Sequence, residues 1–269
     1  MKTKNKTLPL WVSLPISLWV WVTTTLLSIL FFTFGLIVVS TASLVFDRGT
    51  RRLQHLVAVM WAKMAILTNP LWKLQVEGVK HVKPGKHYLI IANHQSLLDI
   101  LVVLAGLPWQ LHFKFLAKKE LFPIPFVGWH MGLAGYIPID RSSPESRKRI
   151  MGIARDWLRR GVSVLFYPEG TRSLDGEIHA FKTGAFKLAQ EENVEILPVV
   201  IEGTRDALPK KSWRMEKLSP LLLSIGEPVS VNQKPQERIE KARDQIREEM
   251  IHRLAHIRMQ YGTGYRGDK

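Results

Sequence analysis

The sequence predicts an α/β fold, a mixed sheet flanked by helices, behind an N-terminal membrane-embedded helical segment. Three observations carry that reading. From Leu8 to Phe46 no charged residue occurs, whereas a bilayer-spanning helix needs only about 20 apolar residues. From Trp72 onward the chain breaks into short apolar or alternating runs, "WKLQVEG", "HYLIIA", "KFLAKKEL", "YIPIDR", "SVLFYP", "EILPVVIEG" and "LLLSIGEPVSV", which have the length and composition of strands. Helical stretches separate several of these runs, the pattern of crossovers in an α/β sheet. The expected organisation is a membrane segment plus interfacial helix over residues 1–70 and an α/β domain over 71–269.

The apolar segment is longer than the core of a secretory signal and lacks a small-residue cleavage site before soluble sequence, so it is expected to stay on the protein. Both flanks are basic, with Lys2, Lys4 and Lys6 before it and Arg48, Arg51 and Arg52 after it. The positive-inside rule therefore does not favour a single crossing, and a hairpin bent at Pro15 or Gly35 with both ends cytoplasmic fits as well. In "RRLQHLVAVMWAKMAILTN", residues Leu53, Leu56, Val57, Met60, Met64 and Leu67 recur at helical spacing, which predicts a helix on or in the interface. Further on, Ser143 and Pro144 open a helix as cap and first residue, Ile150, Ile153, Ala154, Trp157 and Leu158 form its apolar face, and Gly161 ends it. Pro235 opens a long C-terminal helix whose Ile239, Ala242, Ile246, Met250, Leu254 and Ile257 share one side, as in a helix packed on its own domain.

Composition narrows the function. The 269 residues show no internal repeat and include no cysteine, which excludes disulfides, thiolate metal sites and a thiol nucleophile. The formal charge of +15 implies an acidic partner: nucleic acid, an anionic membrane face or a phosphorylated substrate. The apolar segment selects the membrane and its lipids over nucleic acid.

The chemistry-bearing motifs begin with "NHQSLLD", residues 93–99, directly after the apolar run "HYLIIA". With Ser96 as N-cap, Asp99 completes a Ser-x-x-Asp capping box worth roughly 1 kcal/mol. That accounts for Asp99 but not for His94, which sits at the tip of a buried strand, where open α/β sheets place ligands. A neutral imidazole takes a proton from a hydroxyl, and a neighbouring carboxylate fixes its tautomer and stabilises the cation that forms. At the end of another strand, "FYPEGTRS" (166–173) offers Gly170 for close backbone approach, the Thr171 hydroxyl and the Arg172 fork that matches phosphate oxygens. The plain alternative there is a strand-ending turn with a Glu169–Arg172 surface pair. Lys118, Lys119 and Arg141 bring further cations near strand ends. In "AKKELFPIPFVGW" (117–129), Phe122, Phe126, Val127 and Trp129 are candidates for an apolar wall along an acyl chain, or for ordinary core.

In this order, "NHQSLLD", "AKKELFPIPFVGW", "GYIPIDR", "FYPEGTRS" and "ILPVVIEGT" resemble the 1-acyl-glycerol-3-phosphate acyltransferase family of the glycerolipid acyltransferases, over roughly residues 72–205. The resemblance implies that His94 is the general base on the free hydroxyl of a lysophospholipid and that Asp99 orients it. It implies that Glu169, Gly170, Thr171 and Arg172 bind the glycerol phosphate, with Arg141 and Lys118 as further phosphate contacts. The expected partners are lysophosphatidic acid, membrane lipid and, as donor substrate rather than cofactor, acyl-CoA or acyl carrier protein. No cofactor or metal is expected, since there is no H-E-x-x-H and no cysteine. The expected location is the bacterial inner membrane, with the catalytic domain cytoplasmic.

Rival readings are a related lysolipid acceptor, a non-catalytic membrane-anchored protein that binds anionic lipid, and a serine hydrolase. The hydrolase lacks a G-x-S-x-G elbow. The tail "GTGYRG" (262–267) matches a dinucleotide fingerprint in letters only, because no strand precedes it and no helix follows.

Overall fold

All seven expected runs form strands: β1 (Trp72–Glu77), β2 (Leu89–Ala92), β3 (Phe113–Lys118), β4 (Ile137–Ile139), β5 (Ser163–Phe166), β6 (Ile196–Glu202) and β7 (Ser219–Ile225). They join one sheet in the order β1-β7-β6-β2-β5-β3-β4. β2 pairs in parallel with β5 and β6, and β3 with β4 and β5, while β7 is antiparallel to β6 and parallel to β1, so the sheet is mixed. The computed structural model describes residues 7–47, 49–140, 143–209, 212–231 and 236–263. Lys2, Lys4, Lys6, Arg48, Arg141, Pro235 and the tail from residue 264 lie outside these.

The helices are α1 (Leu10–Phe34), α2 (Ser40–Phe46), α3 (Arg52–Leu67), α4 (Asp99–Gly106), α5 (Val127–Leu133), α6 (Pro144–Arg159), α7 (Gly184–Glu191), α8 (Thr204–Ala207) and α9 (Gln236–Tyr261). They form a layer on each face of the sheet. The side chains of β2 alternate between the layers: Ile90 and Ala92 pack with α3 and α4, Leu89 and Ile91 with α6, α7 and α9. A strand buried on both faces reads as a continuous apolar run, which is why "HYLIIA" shows no polar alternation. Ser143 caps α6 as expected, its hydroxyl accepting the Ser146 N–H at 3.1 Å. On α9, Ile239, Ile246, Met250, Leu254 and Ile257 are buried as the spacing predicts.

The N-terminal segment differs from its expected form in two ways. The helix does not turn back at Pro15 or Gly35: α1 runs through Pro15, a π turn spans Gly35–Val39, and α2 continues to Phe46. The Gly35 carbonyl at that turn accepts from Gln54 Nε2 at 2.9 Å and Ser40 Oγ at 3.2 Å, so the looser ladder leaves no orphan there. Reversal comes afterwards, where Asp47 accepts the Leu53 N–H (2.8 Å) and the Thr50 hydroxyl (2.8 Å). α3 then runs back along α1, with Trp61 donating to Ser28 Oγ (3.1 Å) and Trp19 donating to the Thr68 carbonyl (3.2 Å). The second difference is the face that α3 buries. Met60, Met64 and Leu67 are exposed, while Gln54, His55, Ala58, Ala62 and Ala65 pack inward. A helix apolar on both sides gives hydropathy nothing to separate, and small residues are what permit close helix packing.

The far end of α1 is bonded to the α/β domain as well. Leu8 N–H donates to the Glu216 carbonyl (2.7 Å), the Trp21 indole to the Trp213 carbonyl (2.7 Å), and Met215 N–H to Ser17 Oγ (2.9 Å). Leu10–Phe46 is the one stretch among the described residues that is helical, long and apolar enough to cross a membrane.

Candidate active site

β2 and β5 are neighbours, paired Leu89 with Val164 and Ile91 with Phe166, so the loops leaving their carboxyl ends meet. In an open α/β sheet this edge is where ligands bind. Asn93, the first residue past β2, fixes the strand end through both halves of its amide: Nδ2 donates to the Ile201 carbonyl (2.9 Å) and Oδ1 accepts the Ile201 N–H (2.7 Å). His94 follows, and its Nδ1 lies 2.6 Å from Asp99 Oδ2. Its ring stacks on Tyr167 with centroids 4.2 Å apart.

Asp99 is completely buried and fully used. Oδ2 also accepts the backbone N–H groups of Gln95 (2.6 Å) and Ser96 (3.0 Å), and Oδ1 accepts the Thr204 hydroxyl at 2.5 Å. With an acceptor-only carboxylate beside it, His94 Nδ1 is the donor, which leaves Nε2 as the open basic nitrogen. The imidazole retains 12% of its exposure. The same carboxylate therefore orders the turn and orients the imidazole. The expected Ser96 cap is displaced, because α4 begins at Asp99 and Ser96 Oγ makes only long contacts, 3.4 Å from Leu98 N and 3.3 Å from the Leu208 carbonyl.

In the turn after β5 the predicted residues take different positions. Glu169 is buried, its Oε1 accepting His94 N–H (3.0 Å) and its Oε2 accepting His179 N–H (3.2 Å). Both oxygens serve backbone, so Glu169 is a strut between the two loops rather than a partner of Arg172. Burial pushes its carboxyl above the usual range, and the two N–H donors partly offset that. Gly170 has φ +75°, and a Cβ there would stand 2.5 Å from Lys182 Nζ, so glycine lets an ammonium lie against the turn. Thr171 is exposed and Arg172 half-buried, and Arg172 has no side-chain hydrogen bond or ion pair among the described residues. Ser173 N–H closes the loop onto the His94 carbonyl at 2.8 Å.

The cations at the next strand separate by role. Lys119 pairs with Asp140, whereas Lys118, at the end of β3, is exposed and has no such partner among the described residues. β5 lies between β2 and β3, so Lys118 stands about two strand spacings, roughly 10 Å, from the histidine strand. Arg141 lies outside the described residues. Of the expected apolar wall, Phe122 and Val127 pack against the core, while Phe126 and Trp129 lean on each other with centroids 5.6 Å apart.

Sequence reasoning missed Thr204, Lys182, Tyr167 and Asn93. Only Lys182 leaves a trace, as a cation shortly after the Arg172 turn. Thr204 reaches Asp99 across 105 residues of chain, a contact that only sheet order creates.

The class to which this fold and site belong is defined by residues 73–202, which contain His94, Asp99 and the Glu169–Arg172 turn and match the family model described as Acyltransferase. Over that stretch, just under half of its length, the chain carries a domain of that family. Among its relatives, a chloroplastic 1-acyl-sn-glycerol-3-phosphate acyltransferase of Arabidopsis thaliana is 36% identical over 170 residues, 63% of this chain and 46% of the relative. Another, of Brassica napus, is 32% identical over 208 residues, 77% of this chain and 59% of the relative. The chain thus spans about half the length of these relatives. Among solved structures, the 1-acyl-sn-glycerophosphate acyltransferase PlsC from Thermotoga maritima superposes with a TM-score of 0.74 at 27% identity, covering 90% of this chain and 96% of that one.

Proposed function

We propose that this protein moves a fatty acyl group from an acyl thioester to the free hydroxyl of 1-acyl-glycerol-3-phosphate, giving phosphatidic acid. The observation that carries the reading is the 2.6 Å contact between His94 and fully buried Asp99, on a loop bonded to the Arg172 turn through Glu169 and Ser173. The acceptor hydroxyl gives its proton to Nε2 as its oxygen attacks the thioester carbon, and Asp99 stabilises the imidazolium. The tetrahedral oxyanion then collapses, the C–S bond breaks, and His94 returns the proton to the departing thiolate. No covalent acyl-enzyme is needed, because the thioester is already activated. Backbone N–H groups are the candidate oxyanion donors. Arg172, Lys182 and Lys118 supply positive charge for the acceptor phosphate, with Arg172 alone able to grip two oxygens.

The donor is acyl-CoA or acyl carrier protein. The exposed face of α1 and α3 lies in the lipid and the catalytic domain lies on the cytoplasmic side of a bacterial inner membrane. The large apolar side chains exposed on α1 and α3, among them Trp11, Leu18, Leu30, Met60 and Leu67, support the lipid placement.

Purified protein in detergent, given lysophosphatidic acid and each acyl thioester, tests the proposal by release of thiol and formation of phosphatidic acid. His94→Ala is expected to remain folded and lose at least about a hundredfold in rate. Thioester hydrolysis without transfer, or near-normal turnover by the variant, refutes it.

A further inference from the structure

The apolar side of α9 packs on the sheet, which accounts for Ile239 through Ile257 but not for two arginines on the same helix. Arg258 sends Nη2 to the Gly176 carbonyl (2.6 Å), Nη1 to Glu177 Oε1 (2.7 Å) and Nε to Glu202 Oε2 (3.0 Å). Arg247 sends Nε to the His179 carbonyl and Nη2 to the Ile178 carbonyl, both at 2.8 Å. All these acceptors except Glu202 belong to the loop that follows the Glu169–Arg172 turn.

The same loop is held from the catalytic side. Gln95, next to His94, donates Nε2 to the Gly176 carbonyl (3.2 Å) and to Glu202 Oε2 (3.3 Å), the two acceptors Arg258 also uses. From the loop, contacts lead straight into the site. Ser173 N–H donates to the His94 carbonyl at 2.8 Å, and Gly176 N–H donates to Ser173 Oγ at 2.9 Å. His179 N–H donates to Glu169, whose other oxygen holds His94 N–H. Gly176 has φ +84°, and a Cβ would come within 3.0 Å of Arg205 Nη1 and 3.2 Å of Arg258 Nη2, so the backbone leaves room for both guanidinium groups.

A surface ion pair would contribute little to any of this. The Arg258 and Glu202 side chains, however, are only 17% and 7% exposed. Three of the acceptors are backbone carbonyls of a single loop. A planar fork directed at such carbonyls fixes where the loop lies, as well as neutralising a charge.

We propose that Arg258, assisted by Arg247, is a positioning residue. Through it the C-terminal helix holds loop 173–179, and with it the Glu169–Arg172 turn, in register with His94. The inference rests on the reading of that turn as the acceptor-phosphate site, and small displacements there are costly to a reaction that depends on alignment.

The test uses the full chain in detergent, with Arg258→Ala, Arg258→Lys and Arg247→Ala, and with Arg243→Ala as control, since among the described residues the Arg243 guanidinium bonds its neighbour Asp244 and not the loop. Amide hydrogen exchange of peptides covering 169–182 and kinetics toward both substrates are measured in parallel. In Arg258→Ala, exchange at 173–179 is expected to accelerate while β2 and β5 stay protected. The acceptor KM is expected to rise about fivefold or more, the donor KM to stay within about twofold, and Arg258→Lys to fall between. Arg243→Ala changes none of these. Unchanged loop exchange, or equal rises in both KM values, overturns the inference. Should Arg258→Ala fail to fold, Arg258→Lys and Arg247→Ala carry the same comparison. If the wild type acylates no lysophosphatidic acid, the functional reading fails while the exchange result still decides the clamp.

Discussion

Replacing Asp99 with asparagine sets its two roles against each other. In the native site Oδ2 accepts from His94 Nδ1, Gln95 N and Ser96 N, and Oδ1 accepts from the Thr204 hydroxyl. With the asparagine carbonyl in the place of Oδ2, both backbone bonds survive, and its NH₂ donates to Thr204 Oγ, which turns from donor to acceptor. The turn thus stays capped, and the cost in stability is the charge assistance of these bonds, on the order of 1–2 kcal/mol. For a chain of this size that lowers Tm by about 2–8 °C. The rate suffers more. An imidazolium forming at His94 no longer faces an anion, and a charge-assisted bond is worth roughly 1.5–3 kcal/mol, or about 10- to 150-fold. The asparagine carbonyl still accepts from Nδ1, so the tautomer is kept and the lost charge sets the size of the effect: kcat/KM is expected to fall by about 10- to 150-fold. Ser96→Ala is the control, since Ser96 Oγ makes only the two long contacts, and both its rate and its Tm should stay close to wild type. Initial rates of thiol release and thermal melting, in one detergent, suffice. If Asp99→Asn keeps its rate within about tenfold, or loses it only in step with Tm, the carboxylate is a cap alone and the catalytic pair is wrong.

Arg172→Lys replaces a fork with a point charge, so the KM for lysophosphatidic acid should rise more than that for the donor; a change confined to the donor KM would assign Arg172 to the donor's phosphates. Tyr167 Oη is buried with no hydrogen-bond partner among the described residues, so Tyr167→Phe, which keeps the ring against His94, should leave Tm unchanged or raised, by up to about 1–3 kcal/mol in stability. A large fall in rate at constant Tm would instead make that hydroxyl part of the reaction. Lys114 is fully buried, its Nζ donating to the Ala134 carbonyl at 2.6 Å, and burial lowers its pKa from 10.5 to about 7. Between those pH values the unfolded chain binds the extra proton, so this lysine makes stability rise with pH by up to about 1.4 kcal/mol per unit and costs stability as pH falls. Denaturant unfolding at two pH values within that window should show a shallower slope for Lys114→Met, and identical slopes would refute the assignment.

The strands were legible because each is a short apolar run ended by a turn signal, and His94 stood out as an imidazole at the tip of one of them. Asp99 was legible for two reasons that the structure unites. Roles within "FYPEGTRS" were less legible: the sequence allowed Glu169 either a place in the phosphate site or a surface pair with Arg172, whereas burial and two backbone donors draw it inward. Adjacent Lys118 and Lys119 could not be told apart until Asp140 took one of them. On α3, the residues with the strongest helical periodicity include those that face outward, because both faces of the helix carry apolar side chains and the pattern alone does not separate them. Thr204 and Arg258 carry no local signal, since their partners are brought to them by the strand order and by the return of the chain in α9.

The bonds at both ends of α1 bear on how the protein can be handled. A helix that served only to tether the enzyme could be exchanged for any apolar segment of similar length. Here Ser17, Trp21 and Ser28 are individually matched to Met215, Trp213 and Trp61, and Val20 packs into the same core as β2. A generic substitute would strip those partners and open that core. The segment is thus part of the folding unit, and a version trimmed for solubility would lose a wall of the α/β domain.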